Sequence, residues 1–146
     1  MEVAPFLILV LGLTIGSFLN VCIYRIPRNG LSIHSPRWSI CPECQATIRF
    51  YDNIPVLSYF LLRARCRDCG TRISAVYPFV EVITGGLFLS MYYRFGLTLE
   101  FVHGCLFVAL LISVSWIDAR WYIIPNVIVA TGLILGLGIT AAITVN

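Results

Sequence analysis

The segment C-P-E-C at 41–44 is followed, after 21 intervening residues, by C-R-D-C-G at 66–70. Two C-x-x-C pairs at this separation can bring four thiolates to one Zn²⁺ in tetrahedral geometry, and Gly70 allows the second pair to turn tightly. The same residues also suit two disulfides, a redox-active C-x-x-C or unliganded thiols. The compartment distinguishes these alternatives, and the flanking sequence predicts the compartment.

The composition predicts a membrane protein. Of the 146 residues, 59% are hydrophobic and only 12% are charged, whereas about a quarter of the residues of a soluble domain are charged. All ten basic residues are Arg, and the net charge of +3 is too small and too locally distributed to indicate a nucleic-acid partner. The positions of these Arg residues are more informative than their number.

The first predicted span is Val3 to Tyr24, which is 22 residues without a charge. As a helix it would be about 33 Å long, enough to cross a bilayer core. It has no preceding basic region, as a secretory signal would, and Arg25 follows it, so we interpret it as a retained span.

Polar and small residues within this span predict contact with another helix. Gly12 and Gly16 form a G-x-x-x-G pair that lets a second helix approach closely. Asn20 lies deep in the span, where its amide requires a hydrogen-bond partner on a neighbouring helix. These residues therefore favour a packed helical bundle.

A polar segment follows, and it contains most of the positive charge. Eight of the ten Arg lie between Arg25 and Ser74. Asn29-Gly30 and the segment 52–55 are turn signals, whereas the apolar run 56–62 suits a strand, a buried helix or an interfacial helix. A loop of this size is too small for its own core, so we expect the metal and the membrane surface to stabilise it.

Three further apolar stretches, at 77–93, 101–117 and 124–145, complete the predicted spans. Alternation places nine Arg on the side of the loop and one on the other, and the positive-inside rule then makes the loop cytoplasmic. A reducing compartment favours zinc over disulfides. We therefore predict an all-α polytopic membrane protein with about four transmembrane helices and a small cytoplasmic four-cysteine zinc-knuckle loop domain between spans 1 and 2. The predicted units are helix 1 at 1–24, the zinc-binding loop at 25–76 and a three-helix membrane segment at 77–146.

Two acidic residues lie at or in the spans. Asp118 ends the third span at the loop side, and Glu81 lies four residues into the second, at a similar depth. A carboxyl in such a position is a functional hypothesis by default, because burying it uncompensated is costly. The alternative is an ion pair with a nearby Arg, such as Arg120, Arg25 or Arg72.

Several motifs taken together resemble the bacterial type IV prepilin peptidases. The resemblance covers the whole chain in order, and the joint pattern is specific. Its segments are G-S-F-L-N-V-C-I-Y-R-I-P-R-N-G-L-S at 16–32, the two knuckles, Y-D-N-I-P-V-L-S-Y at 51–59, Y-P-F-V-E at 77–81 and W-I-D-A-R at 116–120 with Ile124-Pro125.

The resemblance implies a function and a location. Members of that family are multi-pass inner-membrane aspartic endopeptidases that remove the leader of type IV prepilins or type II secretion pseudopilins. Most also methylate the new N-terminus with S-adenosylmethionine. Asp118 matches the first of the family's two catalytic aspartates, whereas the G-x-G-D motif of the second has no match in these 146 residues. The sequence is thus expected to correspond to the N-terminal half of the enzyme, with the other half supplying the second aspartate.

Two other classes of function stay open on sequence grounds. One is a zinc-organised membrane scaffold that binds prepilins or assembly proteins without catalysis, which a single matched carboxylate favours. The other is a membrane thiol oxidoreductase, which requires one reactive, low-pKa C-x-x-C thiol. One zinc per chain with four protected thiols would exclude the redox alternative.

Overall fold

The computed structural model describes residues 3–28, 33 and 38–145. Within these ranges the chain is helical, apart from loops and two isolated bridges, Ile40–Thr47 and Arg65–Arg72. The predicted all-α class, with a cysteine-rich loop between the first two long helices, is confirmed. The predicted turn at Asn29-Gly30 lies outside the described residues. The helices are α1 (Val3–Arg25), α2 (Leu57–Leu61), α3 (Val76–Phe95), α4 (Leu99–Trp121) and α5 (Asn126–Val145), with a short 3₁₀ helix at Phe50–Asn53 before α2.

Three of the described helices are long and apolar enough to cross a membrane by length and composition. They are Val3–Arg25, Leu99–Trp121 and Asn126–Thr144. The fourth long helix, α3, contains Glu81 and is less apolar, but it packs antiparallel against α1 more extensively than any other pair of elements packs. Because the two helices lie side by side, α3 would lie at the same depth as α1 in a membrane.

Glycines allow this close approach of α1 and α3. A Cβ added at Gly12 would lie 2.7 Å from the Cα of Gly85, and one added at Gly16 would lie 2.7 Å from the Cα of Glu81. One further turn along, the Asn20 side chain donates a hydrogen bond of 3.0 Å to the backbone oxygen of Tyr77. The expectations for the G-x-x-x-G pair and for an Asn20 partner are therefore confirmed.

Replacing Gly16 by Ala should destabilise the helix pair by roughly 2 kcal/mol, because the added methyl group forces the backbones apart. Thermal unfolding in detergent measures this effect. The matched control is Gly86→Ala on α3, where an added Cβ has no neighbour within 4 Å. Equal unfolding temperatures for the two variants would contradict the close packing of α1 on α3.

The core lies where α1, α3 and α4 meet. Val80, Thr84 and Ile117 are fully buried there, and the rings of Phe79 and Trp116 meet edge-to-face at 6.0 Å. This contact aligns the beginning of α3 with the end of α4, at the same end of the bundle as the cysteine-rich loop. By contrast, α5 packs on α4 and leaves most of its surface exposed.

Candidate functional site

The first cysteine pair forms a tight knuckle between two short extended segments. The Cys41 amide donates to the oxygen of Ala46 at 2.9 Å, and the Gln45 amide donates to the oxygen of Cys41 at 3.0 Å. The bridge between Ile40 and Thr47 closes the base of the knuckle. The turn thus directs both sulfurs of the pair to one side.

The second pair repeats this arrangement 25 residues later. The Cys66 amide donates to the oxygen of Thr71 at 2.8 Å, and the Gly70 amide donates to the oxygen of Cys66 at 3.0 Å. Gly70 and the equivalent Gln45 both adopt positive φ angles, of 69° and 60°. The predicted role of Gly70 in the turn is confirmed, whereas the first knuckle holds a non-glycine residue in the same left-handed conformation.

The two knuckles bring all four predicted cysteines together. The sulfurs of Cys41, Cys44, Cys66 and Cys69 lie within 4.8 Å of one another, and those of Cys41 and Cys69 are 3.9 Å apart. A tetrahedral site with Zn–S bonds of about 2.3 Å has sulfur–sulfur edges of about 3.8 Å. The cluster therefore has the size and the donor set of a four-cysteine zinc site. Its four ligands leave no open position, which is the pattern of a structural metal.

Backbone groups make one of these thiols acidic. The amides of Cys69 and Asp68 point at the sulfur of Cys66 and lower its pKa to about 7. The Thr71 amide acts in the same direction on Cys69, but burial and the other three sulfurs outweigh it and raise the pKa of that thiol to about 12. The low pKa of Cys66 favours its thiolate, and a bound cation would offset the interactions that raise the pKa of Cys69.

Polar contacts stabilise the cysteine-rich loop. Arg67 forms a two-pronged ion pair with Asp52, at 2.6 and 2.8 Å, which lowers the pKa of the Asp52 carboxyl. The nearly buried Ser58 hydroxyl donates to the oxygen of Tyr51 at 2.9 Å and accepts from the amide of Ile54 at 3.0 Å. The segment before α2 is therefore tied both to the second knuckle and to α2 itself.

Glu81 joins the loop to the helices. Its Oε2 accepts a hydrogen bond of 2.7 Å from the amide of Val56, and the Cα of Glu81 lies against Gly16 of α1. Val56 has φ 62°, which is strained for a β-branched residue and persists only where the surroundings hold it. Among the described residues Glu81 makes no ion pair with an Arg. The observed partner of its carboxyl is instead the backbone amide of Val56.

Arg25 organises the entry to the loop, a role that sequence reasoning did not assign. It is only 6% exposed, and its guanidinium donates to the backbone oxygens of Ile33 and Trp38, each at 3.2 Å. The sequence feature that could have indicated this role is that Arg25 is the first charged residue after an apolar span. The guanidinium therefore holds together the start of the loop and the residues that precede the first knuckle.

Asp118 lies near the loop-side end of α4 and is exposed. Its backbone oxygen accepts from the amide of Tyr122, which ends the helix in a left-handed conformation. In the part of the chain that the structure describes, no ion pair engages its carboxyl. Glu81, by contrast, is buried against α1, so the described structure does not join these two acidic groups in one site.

Comparison with known proteins places these features in a family. A match to the family described as Bacterial Peptidase A24 N-terminal domain covers residues 10–95. A prepilin leader peptidase/N-methyltransferase of Myxococcus xanthus (strain DK1622) is 46% identical over 130 residues, which is 89% of this chain and 38% of that protein. One of Bacillus subtilis (strain 168) is 40% identical over 120 residues, 82% of this chain and 48% of that protein.

A third relative has a similar extent. The prepilin leader peptidase/N-methyltransferase of Neisseria gonorrhoeae is 36% identical over 150 residues, 88% of this chain and 52% of that protein. No solved structure matches the chain. The chain spans about half the length of these relatives or less. The chain therefore belongs to the bacterial prepilin peptidase family and corresponds to the N-terminal portion of its members.

Proposed function

We propose that this chain supplies the zinc-organised N-terminal part and one catalytic carboxylate, Asp118, of an intramembrane aspartic endopeptidase. The substrates would be type IV prepilins or type II secretion pseudopilins, whose leader is removed. The names of the relatives also include N-methyltransferase, so the proposal extends to methylation of the new N-terminus with S-adenosylmethionine. The observation that carries the proposal is a carboxylate matched to the family and left exposed at the loop-side end of α4.

The chemistry requires two carboxylates. In aspartic proteolysis one is ionised and activates water, while the other is protonated and donates to the scissile carbonyl, and their environments drive the two pKa values apart. Asp118 is free to take one of these roles, since no ion pair occupies it within the described chain. Glu81 is an unsuitable second acid because its carboxyl accepts from Val56 and faces α1.

The four knuckle cysteines would hold a structural zinc. Cys41, Cys44, Cys66 and Cys69 fit the ion by donor type and spacing. A bound Zn²⁺ would join two turns that share little apolar core, which is how small metal-organised loops gain their stability. Because all four positions are taken by sulfur, the ion would not activate water, and hydrolysis depends on the carboxylates.

We also propose that the protein lies in the bacterial inner membrane with the cysteine-rich loop in the cytoplasm. The asymmetry of nine Arg against one supports this orientation. A cytoplasmic loop would place Asp118 on the side where the basic leader of a prepilin is retained. The apolar segment of the substrate would then lie in the bilayer beside the helices.

Topology can be measured with an impermeant maleimide on two exposed positions. Leu97→Cys, in the turn between α3 and α4, should be labelled in intact spheroplasts, and Ser74→Cys, at the end of the loop, only after permeabilisation. Labelling is quantified by mass spectrometry of the modified peptides, so that the native thiols do not interfere. Labelling of Ser74→Cys in intact spheroplasts, with none at Leu97→Cys, would reverse the orientation.

Complementation tests the enzymatic proposal. We expect no leader removal by the 146-residue chain, and cleavage when it is co-expressed with the remaining C-terminal portion of a full-length relative such as that of Myxococcus xanthus. Leader removal is read as a mass change of a prepilin. Cleavage by the chain alone would mean that another group replaces the second aspartate. Absence of cleavage with both parts folded in the membrane would favour the non-catalytic scaffold.

A further inference from the structure

We infer that the segment from Ile54 to Leu61, which contains α2, is inserted into the acyl region of the bilayer leaflet on the loop side. The contact between the amide of Val56 and Glu81 fixes its level. Glu81 lies five residues inside α3 from Val76, which is about 7.5 Å along the helix. The loop therefore does not stay above the membrane surface but reaches down beside the helices.

The lengths of the helices place the membrane boundary on the loop side of the contact between Val56 and Glu81. From Glu81 to the end of α3 at Phe95 is only about 21 Å of helix, whereas a bilayer core is about 30 Å thick. The whole of α3 is needed to cover that thickness. Just beyond α1, Arg28 lies over the rings of Tyr24 and Trp121, at 3.7 and 5.0 Å from their centroids, an aromatic and basic layer typical of the interface.

The depth of the segment below this aromatic layer can be counted along α1. A Cβ added at Gly16 of α1 would lie 2.7 Å from the Cα of Glu81, and Gly16 lies eight residues before Tyr24, or about 12 Å along the helix. Asn53 and Pro55 also line a groove with Phe18, whose side chain is 52% exposed on α1. The surface of the segment is thus continuous with the lipid-facing surface of a candidate span.

Five backbone amides of the segment have partners within the protein, as a low-dielectric environment requires. Ile54 donates to the Ser58 hydroxyl, Val56 donates to Glu81, and Leu57 donates to the oxygen of Pro55. The amides of Ser58 and Phe60 find backbone oxygens four residues earlier. Side chains thus supply partners where the short helix cannot, so these backbone groups do not depend on water.

The outer surface of the segment is apolar and has a basic rim. Leu57, Phe60 and Leu61 are 52%, 69% and 71% exposed, a concentration of large apolar side chains that water disfavours. Arg63 and Arg65 follow directly and are exposed. Their charges suit the headgroups of anionic lipids, while the apolar residues suit acyl chains.

Site-specific photocrosslinking in vesicles tests the insertion. The chain carries p-benzoylphenylalanine at Leu57 or Phe60 and is reconstituted with zinc in phosphatidylethanolamine and phosphatidylglycerol at a ratio of about 3:1. Mass spectrometry measures lipid adducts and maps the site on the lipid. The positive control is Phe107, which is 62% exposed in the middle of α4, and the negative control is Thr47, which is exposed on the first knuckle.

We expect acyl-chain adducts at Leu57 and Phe60 in yields within about three-fold of Phe107 and at least ten-fold above Thr47. Zinc content verifies that each labelled chain is folded, and Phe60 alone decides the matter if the Leu57 variant does not fold. Yields at the level of Thr47 would overturn the inference. Headgroup adducts alone would reduce the contact to surface binding, and adducts to a second protein chain would identify a protein interface, so either outcome also overturns it.

Discussion

Replacing Asp118 by Asn is expected to reduce leader cleavage by the complemented enzyme on the order of 10³-fold or more. The substitution keeps the shape of the side chain but removes its ability to ionise, so one of the two roles of the carboxylate pair is lost. Cleavage is measured as the initial rate of prepilin mass change with equal amounts of both protein parts in the membrane. Zinc content and protease resistance of the loop should stay at their wild-type values.

The matched control lies on the same helix. Glu100 is exposed in the first turn of α4, at the opposite end from Asp118, so Glu100→Gln removes a charge of the same sign and should leave the cleavage rate within about two-fold of wild type. Equal rates for the Asp118→Asn enzyme and this control would remove Asp118 from the mechanism. A loss of similar size in both variants would indicate a general effect of charge on α4.

Replacing any one knuckle cysteine by Ser is the second large effect. Purified Cys44→Ser should contain less than about 0.1 zinc per chain instead of one, because a structural zinc contributes roughly 10 kcal/mol or more to the folding of such loops. Limited proteolysis should then cut between the two knuckles, while α1, α3 and α4 stay resistant. Removal of the metal with a strong chelator should reproduce the same cleavage pattern in the wild-type chain.

Cys105→Ala provides the matched control for this substitution. Cys105 is also a free, buried thiol, but it lies in the core between the long helices rather than in the loop. Its replacement should leave the zinc content at one per chain. Wild-type zinc content in all four knuckle variants would contradict the metal assignment and favour the thiol oxidoreductase alternative.

The sequence was sufficient to predict the long helices because a bilayer imposes one dominant requirement on them. A long apolar run in a bilayer satisfies its backbone as a helix, so the predicted spans and the observed helices agree to within a few residues. The cysteine cluster was predictable for a similar reason, since a single ion dictates ligand type and spacing. Gly12, Gly16 and Asn20 were correctly assigned to a helix contact, but their partner α3 was not identified.

The attachment of the loop to the helices was not predictable. The bond from the Val56 amide to Glu81 joins a backbone group to a side chain 25 residues away, and such a contact leaves no periodic pattern. The run 56–62 was ambiguous because its apolar residues suit several structures, and α2 is only five residues long. The position of Glu81 within a span predicted a functional role or an ion pair, but it did not predict a backbone amide as its partner.

The antiparallel contact of α1 and α3 makes the 50 residues between Arg25 and Val76 a closed loop whose ends are held about 8–10 Å apart. The entropy of closing such a loop varies only with the logarithm of its length, so shortening it from about 50 to about 10 residues would change the free energy of closure by about 1.4 kcal/mol. The loop is thus an insertion into a helical hairpin, and the stability of the hairpin depends only weakly on the length of the loop. Apart from the bond between Val56 and Glu81 and the bonds from Arg25 to Ile33 and Trp38, the contents of the loop are thermodynamically separable from the helices, and a loop substituted elsewhere would leave the hairpin intact.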